Sequence, residues 1–281
     1  MAVISFWGNS EKETGQTIST IATATLMAID HNYKILEIST GFKDRIAEES
    51  FWEPSKTAEL HKILGMNSKK NTVESGVEGL VRIIQSNIAR KGIVENYVKV
   101  VFKDRLDILP SPKTEDPKEY LDIVNNYPSI IEFANQDYNM VFVDVDKRMP
   151  GETQKSILIE SDVIVVNISQ GLKSLNSLME LREVNEMFKK NNVLILIGKY
   201  DRFSKYNVKN ITRYLKEKKQ VSAIPYNTLF FESTTEGHVA DYFLRYRNMS
   251  DKTDRNAIFV DETKKTCENI VYKLEELRMR R

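Results

Sequence analysis

Short apolar runs alternate with amphipathic stretches along the whole 281-residue chain. The first run, residues 2–7 (AVISFW), has the unbroken hydrophobicity of a strand buried on both faces. Polar residues follow from Gly8 to Gln16. Ile18, Ala22, Leu26 and Ile29 then recur at spacings of four, four and three, which predicts one apolar face of a helix over residues 17–31. A turn at His31-Asn32 leads into a second strand at 34–38 (KILEI). Strand, polar loop, helix, strand is a βαβ unit, whose crossover is right-handed.

The pattern is irregular over residues 41–103. Phe51-Trp52-Glu53-Pro54 reads as a turn with two buried aromatics, 55–64 as a short helix and 67–75 as polar loop. Helical spacing returns over 76–90 through Val77, Leu80, Val81, Ile84 and Ile88. A strand at 105–110 is stopped by Pro110, and Pro117 suits the first turn of a helix continuing to Phe133. Strands are predicted at 139–144 (NMVFVD), 162–167 (DVIVVN), 193–198 and 221–224, with helices at 175–190, 208–215 and 261–281. This alternation predicts a doubly wound α/β fold: a mainly parallel sheet flanked by helices, as one domain over 1–281 with an irregular insert at about 41–103. In such sheets ligands bind outside the carboxyl ends of the strands. Asp144, at the end of its strand, is therefore expected on the same rim as the Gly8–Gln16 loop.

Composition narrows the function classes. A net charge of +1 recruits neither nucleic acid nor acidic lipid globally. The single cysteine, Cys267, fits a reducing compartment and a packing role. His31, His61 and His238 are too scattered for a metal-site reading. With no basic-then-apolar leader and no apolar run near the roughly 18 residues a bilayer requires, the chain is expected to be soluble and cytoplasmic.

The loop of residues 8–16 holds the candidate chemistry. A phosphate-binding loop needs backbone amides converging on an anion at a helix N-terminus, a lysine, and a Ser or Thr hydroxyl for magnesium, giving G-x-x-x-x-G-K-[ST]. Here Gly15-Gln16-Thr17 stands where G-K-T belongs, and Ser10 occupies the first glycine position. The bland reading makes Gly15 a strand-to-helix turn with Thr17 as its cap.

The ordered set of segments resembles the ParA/MinD family of deviant Walker A P-loop ATPases over nearly the whole chain. Residues 3–7, the helix after Thr17 and 34–39 (KILEIS) resemble the family's opening βαβ unit. Residues 138–144 (YNMVFVD) resemble its Walker B strand, and 160–166 (ESDVIVV), 195–201 (ILIGKYD) and 223–227 (AIPYN) resemble later segments, the last lying near the adenine. Residues 233–243 echo the segment that follows. The resemblance implies nucleotide binding by Lys12, Thr14, Gly15, Gln16, Thr17, Ile18, Asp144, Pro225 and Asn227, with Thr17 and Asp144 facing the metal.

Departures from the family pattern fall on the chemistry. The signature lysine aligns with Glu11, the next two glycines with Lys12 and Glu13, and the phosphate lysine with Gln16. The aspartate associated with the attacking water aligns with Ser39, and the asparagine that reads adenine with Gly198. Replacing a charged donor by a neutral amide forfeits about 1.5–3 kcal/mol per hydrogen bond to phosphate, a ten- to hundredfold change in affinity. Glu11 and Glu13 add repulsion. The resemblance therefore implies poor or absent hydrolysis, and at most weak binding of ATP or ADP with Mg, down to none.

Three readings follow. The favoured one is a homodimeric localisation or assembly factor for a bacterial pilus, secretion or conjugation machine, contacting a protein partner of that system, as in the TadZ/CpaE-like members that tolerate degraded P-loops. The alternative is an active partition-type ATPase binding ATP-Mg and nonspecific DNA, with Lys12 in the missing lysine's role. The third is DNA binding through the basic segment 199–219, with Lys205, Lys209, Arg213, Lys216, Lys218 and Lys219 as its cations. A solvated helix face is preferred for that segment. In the C-terminal helix Ile270, Val271, Leu274 and Leu277 share a face, and packing on the domain or a second subunit is favoured over a membrane.

Overall fold

The computed structural model describes residues 1–9, 14–53, 76–217 and 221–280. Strands β1 (Ala2–Gly8), β2 (Ile35–Ser39), β3 (Lys99–Phe102), β4 (Leu106–Leu109), β5 (Met140–Val145), β6 (Val163–Ile168), β7 (Val193–Tyr200) and β8 (Val221–Pro225) form one sheet in the order β3-β4-β2-β5-β1-β6-β7-β8. All neighbours are parallel except β3 and β4. The helices are α1 (Gln16–Asp30), α2 (Ile46–Glu49), α3 (Val77–Gln85), α4 (Pro117–Val124), α5 (Tyr127–Asp137), α6 (Gly151–Glu160), α7 (Leu172–Val184), α8 (Val208–Tyr214), α9 (Thr228–Glu236), α10 (Val239–Tyr246) and α11 (Arg255–Met279).

Strand alternation divides the core. Ala2, Ile4 and Phe6 of β1, with Met140 and Phe142 of β5, pack under α1, α9, α10 and α11. Val3 with Val141, Val143 and Val145 packs on the opposite face under α3, α4 and α5. The far end of that second face is closed by α7 and α8. The chain leaves β1 toward β2 on one side and passes from β5 to β6 on the other, so the switch point of this sheet lies at the carboxyl end of β1.

Helix α1 is buried along most of its length although rich in hydroxyls. Thr20, Thr23 and Thr25 each donate to the carbonyl four residues back, at 3.0, 2.7 and 2.7 Å, which lets polar side chains enter the core without orphaned groups. Cys267 of α11 packs against this helix, its Sγ 3.6 Å from the Thr23 carbonyl oxygen. Burial pushes its thiol up, away from reactivity.

Several expectations are corrected. The helix foreseen over 117–133 is two helices, because Pro128 cannot donate the amide needed to continue past Asn125–Asn126. The helix foreseen over 175–190 runs from Leu172 and stops at Val184; Asn185 then accepts from Met187 at 3.0 Å and caps a 3₁₀ turn. The closing helix starts at Arg255, where Asp254 accepts from two first-turn amides at 2.7 and 3.0 Å. The stretch taken as irregular contains the antiparallel edge strand β3. Phe51 and Trp52 are half-buried in a turn rather than buried. The short helix at 55–64 and the loop at 67–75 lie outside the described residues.

Candidate functional site

The start of α1 is set by close backbone approach. Gly15 takes the left-handed conformation (φ 68°, ψ 21°), which a glycine adopts without strain. It lies against β7: a Cβ on Gly198 would sit 1.9 Å from the Thr14 carbonyl oxygen. Only a bare backbone fits there, so the asparagine that the family resemblance places at position 198 has no room. Among the described residues no side chain caps α1 and no acid lies in its first turn, which leaves an N-terminus electrostatically suited to an anion.

Gln16 stands in the phosphate-lysine position but does not reach outward. Its amide nitrogen lies 3.1 Å from the Phe6 carbonyl oxygen, 2.9 Å from the Val145 carbonyl oxygen and 2.6 Å from Asp144 Oδ1. Thr17 donates its hydroxyl to the other carboxylate oxygen, Asp144 Oδ2, at 2.6 Å. The two residues that open α1 therefore staple it to the ends of β1 and β5. The structure thus brings Gly15, Gln16, Thr17 and Asp144 together on one rim.

The surroundings of Asp144 are acidic. Burial pushes its carboxyl up to about 7, against the lowering effect of the Thr17 and Gln16 hydrogen bonds, while Asp44 and Asp146 raise it further. Thr40 fixes the adjoining loops: its hydroxyl donates to the Asp144 carbonyl at 2.7 Å and accepts from the Asp146 amide at 2.8 Å. Thr17 and Asp144 suit magnesium, offering a hydroxyl and a carboxylate side by side. Gln16 does not suit a triphosphate, because its amide is held inward and is uncharged. Among the described residues no three His, Cys, Asp or Glu side chains are grouped around a metal position.

Sequence reasoning missed Glu37. It lies fully buried on β2, and both carboxylate oxygens lack a hydrogen-bond partner. Desolvation first, then the charges of Asp144 and Asp44, holds its carboxyl well above the usual range. Ser39 Oγ on the same strand and both side-chain polar atoms of Asn167 on β6 are likewise buried without partners. The available signal was an acid within an apolar strand of a sheet covered on both faces.

The other candidates are dispersed. Ile18 is half-buried against the core beneath α1. Pro225 ends β8 beside Tyr200. The Asn227 side chain caps α9 by accepting from Phe230 at 2.8 Å and donates to the Arg255 carbonyl and Asn256 Oδ1, so it is committed to helix ends. Lys12, Lys218 and Lys219 lie outside the described residues. Lys205, Lys209, Arg213 and Lys216 are exposed, and so is Phe203, at 83%. In α11, Ile270 and Leu274 are buried and Val271 and Leu277 pack against the same core. Among the described residues no helix is long and apolar enough to cross a membrane.

No protein-family model matches the chain, and no curated protein matches it. Solved structures do. A ParA family ATPase from Chlorobium tepidum TLS superposes with a TM-score of 0.64 at 16% identity, covering 95% of this chain and 97% of that one. The septum site-determining protein MinD of Pyrococcus horikoshii OT3, complexed with Mg-ADP, gives 0.64 at 15% identity over 97% and 98%. A plasmid partition protein of Borrelia burgdorferi B31 bound to AMPPNP gives 0.57 at 15% over 98% of each. These likenesses establish the P-loop NTPase fold of ParA and MinD ATPases.

Proposed function

We propose that this protein is a ParA/MinD-like localisation or assembly factor for a bacterial surface or transfer machine such as a pilus, secretion or conjugation system. It works as a cytoplasmic homodimer that contacts a protein partner and hydrolyses ATP poorly or not at all. ATP or ADP is a weak structural ligand. Magnesium, when bound, supplies positive charge that offsets phosphate. Thr17 and Asp144 are the residues that would hold it, and the amides of Gly15 through Ile18 would face the phosphates. The observation that carries this reading is the Gln16 amide, 2.6 Å from Asp144 and held inward against the Phe6 and Val145 carbonyls. Phosphoryl transfer depends on charge placed around the transferred group, and an inward neutral amide supplies none.

Measuring ATP turnover and ADP affinity for the wild type, Thr17→Ala and Gln16→Lys tests it. Wild-type turnover should not exceed that of Thr17→Ala. Gln16→Lys should tighten ADP about tenfold, the effect of about 1.4 kcal/mol from one charged donor. Magnesium-dependent turnover by the wild type that Thr17→Ala abolishes would establish the active partition-type ATPase instead.

A further inference from the structure

Three strands converge on the turn that leads into α1. A Cβ on Gly8 of β1 would lie 3.0 Å from Thr14 Oγ1 and 2.9 Å from Gln16 Oε1, and one on Gly198 of β7 would meet the Thr14 carbonyl oxygen. Asn167 of β6 stands between them. It is the register partner of Gly8 and of Leu196, which is one same-face step before Gly198. Val163 and Val165 pack on the α1 side of the sheet, so alternation directs Asn167 toward the same turn. Asn167 is fully buried, and both polar atoms of its side chain lack a hydrogen-bond partner. Such a group in a native interior calls for a partner that a bound ligand can supply.

Lys199 approaches the turn from the next position on β7. A Cβ on Gly15 would lie 3.2 Å from its Cγ and 3.4 Å from its backbone nitrogen. Beyond Cγ come two methylene groups and then the ammonium, so the charge stays beside the turn. The residue is exposed and holds a φ of 50°, a left-handed conformation that strains a residue with a side chain. A lysine stands where glycine would sit at ease. We propose that Lys199 supplies the cation for a diphosphate group seated at the Thr14–Thr17 turn, with the Asn167 amide as a second, neutral donor beneath it. This rests on the reading of the α1 start as a nucleotide-phosphate site, and it assigns the positive charge that Gln16 does not provide. The charge comes from a distant strand rather than from the first turn of the helix. A lysine suits that entry from the side, because its ammonium is a point charge with rotatable donors and needs no fixed fork geometry.

The test is calorimetric titration of the full chain with inorganic pyrophosphate and with ADP, both in EDTA, for wild type, Lys199→Met, Lys199→Gly, Lys199→Arg and Asn167→Leu. Lys199→Met keeps the apolar stem and removes the charge, and it should weaken both ligands about tenfold. Lys199→Arg should stay within about threefold of the wild type, since the charge remains. Lys199→Gly should lose the same tenfold yet unfold in urea no earlier than the wild type, because the left-handed strain is gone. A lysine that only covers the loop would show no such split. Asn167→Leu should weaken binding by less than Lys199→Met. Unchanged affinity in Asn167→Leu overturns the part given to that amide. ADP and pyrophosphate binding that survives Lys199→Met sinks this inference and leaves the nucleotide reading standing. Pyrophosphate binding that depends on Lys199, with no binding of ADP, supports the inference and sinks the nucleotide reading. No binding of either ligand by any form overturns both.

Discussion

The two flanks of the sheet's carboxyl rim are built on opposite principles. On the β2–β5 flank, the acids Glu37 and Asp144 are buried together with Ser39 on the face that α1 covers. On the β7–α8 flank, the described residues Lys199, Arg202, Lys205, Lys209, Arg213 and Lys216 stand in solvent, and Phe203 is exposed with the Arg202 guanidinium 4.9 Å from its ring centre. A buried carboxyl without a partner costs several kcal/mol, whereas exposed cations cost almost nothing. The buried flank is therefore the stronger sign of a selected role, and the basic flank is compatible with simple solvation.

The sharpest way to break this contrast is pH. Asp144 keeps its proton up to about 7 when folded but loses it near the ordinary aspartate value of 3.8 when unfolded. The folded state thus holds the extra proton between those values, and stability falls as pH rises through that window. The loss should be about 4 kcal/mol from Asp144, with Glu37 adding in the same direction. Urea denaturation in EDTA from pH 4 to 8 should show this decline, and Asp144→Asn should flatten it. A flat wild-type profile would mean the buried flank is better solvated than its geometry indicates.

A smaller effect is expected where β7 meets the loop. Gly198→Ala puts a Cβ 1.9 Å from the Thr14 carbonyl oxygen, so the start of α1 must shift, at about 2 kcal/mol by urea denaturation. An unchanged midpoint would show that the Thr14–Gly15 packing is loose. The smallest effect belongs to the basic flank. Reversing Lys205, Lys209 and Arg213 to Glu together should move stability by less than about 0.5 kcal/mol per site. A gel shift with duplex DNA across a salt series should show little binding by either form. Salt-sensitive binding lost in the triple variant would instead give this flank the DNA-binding role.

Most strands and the opening βαβ unit were legible because they rest on local periodicity: an unbroken apolar run for β1 and a repeat of three and four for α1. β3 was not, since four residues on an antiparallel edge, intermediate or exposed rather than fully buried, give no clear period. The break at Asn125–Asn126 needed the proline at 128 to be weighed against a continuing apolar face. Within the site, Gly15, Thr17 and Asp144 stood out because their residue types match a chemical requirement. Glu37 did not, because alternation alone assigns an acid in KILEI to water; only the covering layer on that face makes it buried.

The order of residues by itself determined the alternation of strands and helices, the doubly wound class and the loss of charge at position 16, since each depends on composition and short-range spacing. Tertiary structure decided where that glutamine points, how close Thr14 comes to Gly198, and that Glu37 and Ser39 share a face with Asp144 without partners. Those facts depend on which distant segments pack together, and burial changes the chemistry of a side chain that is unremarked in the linear chain.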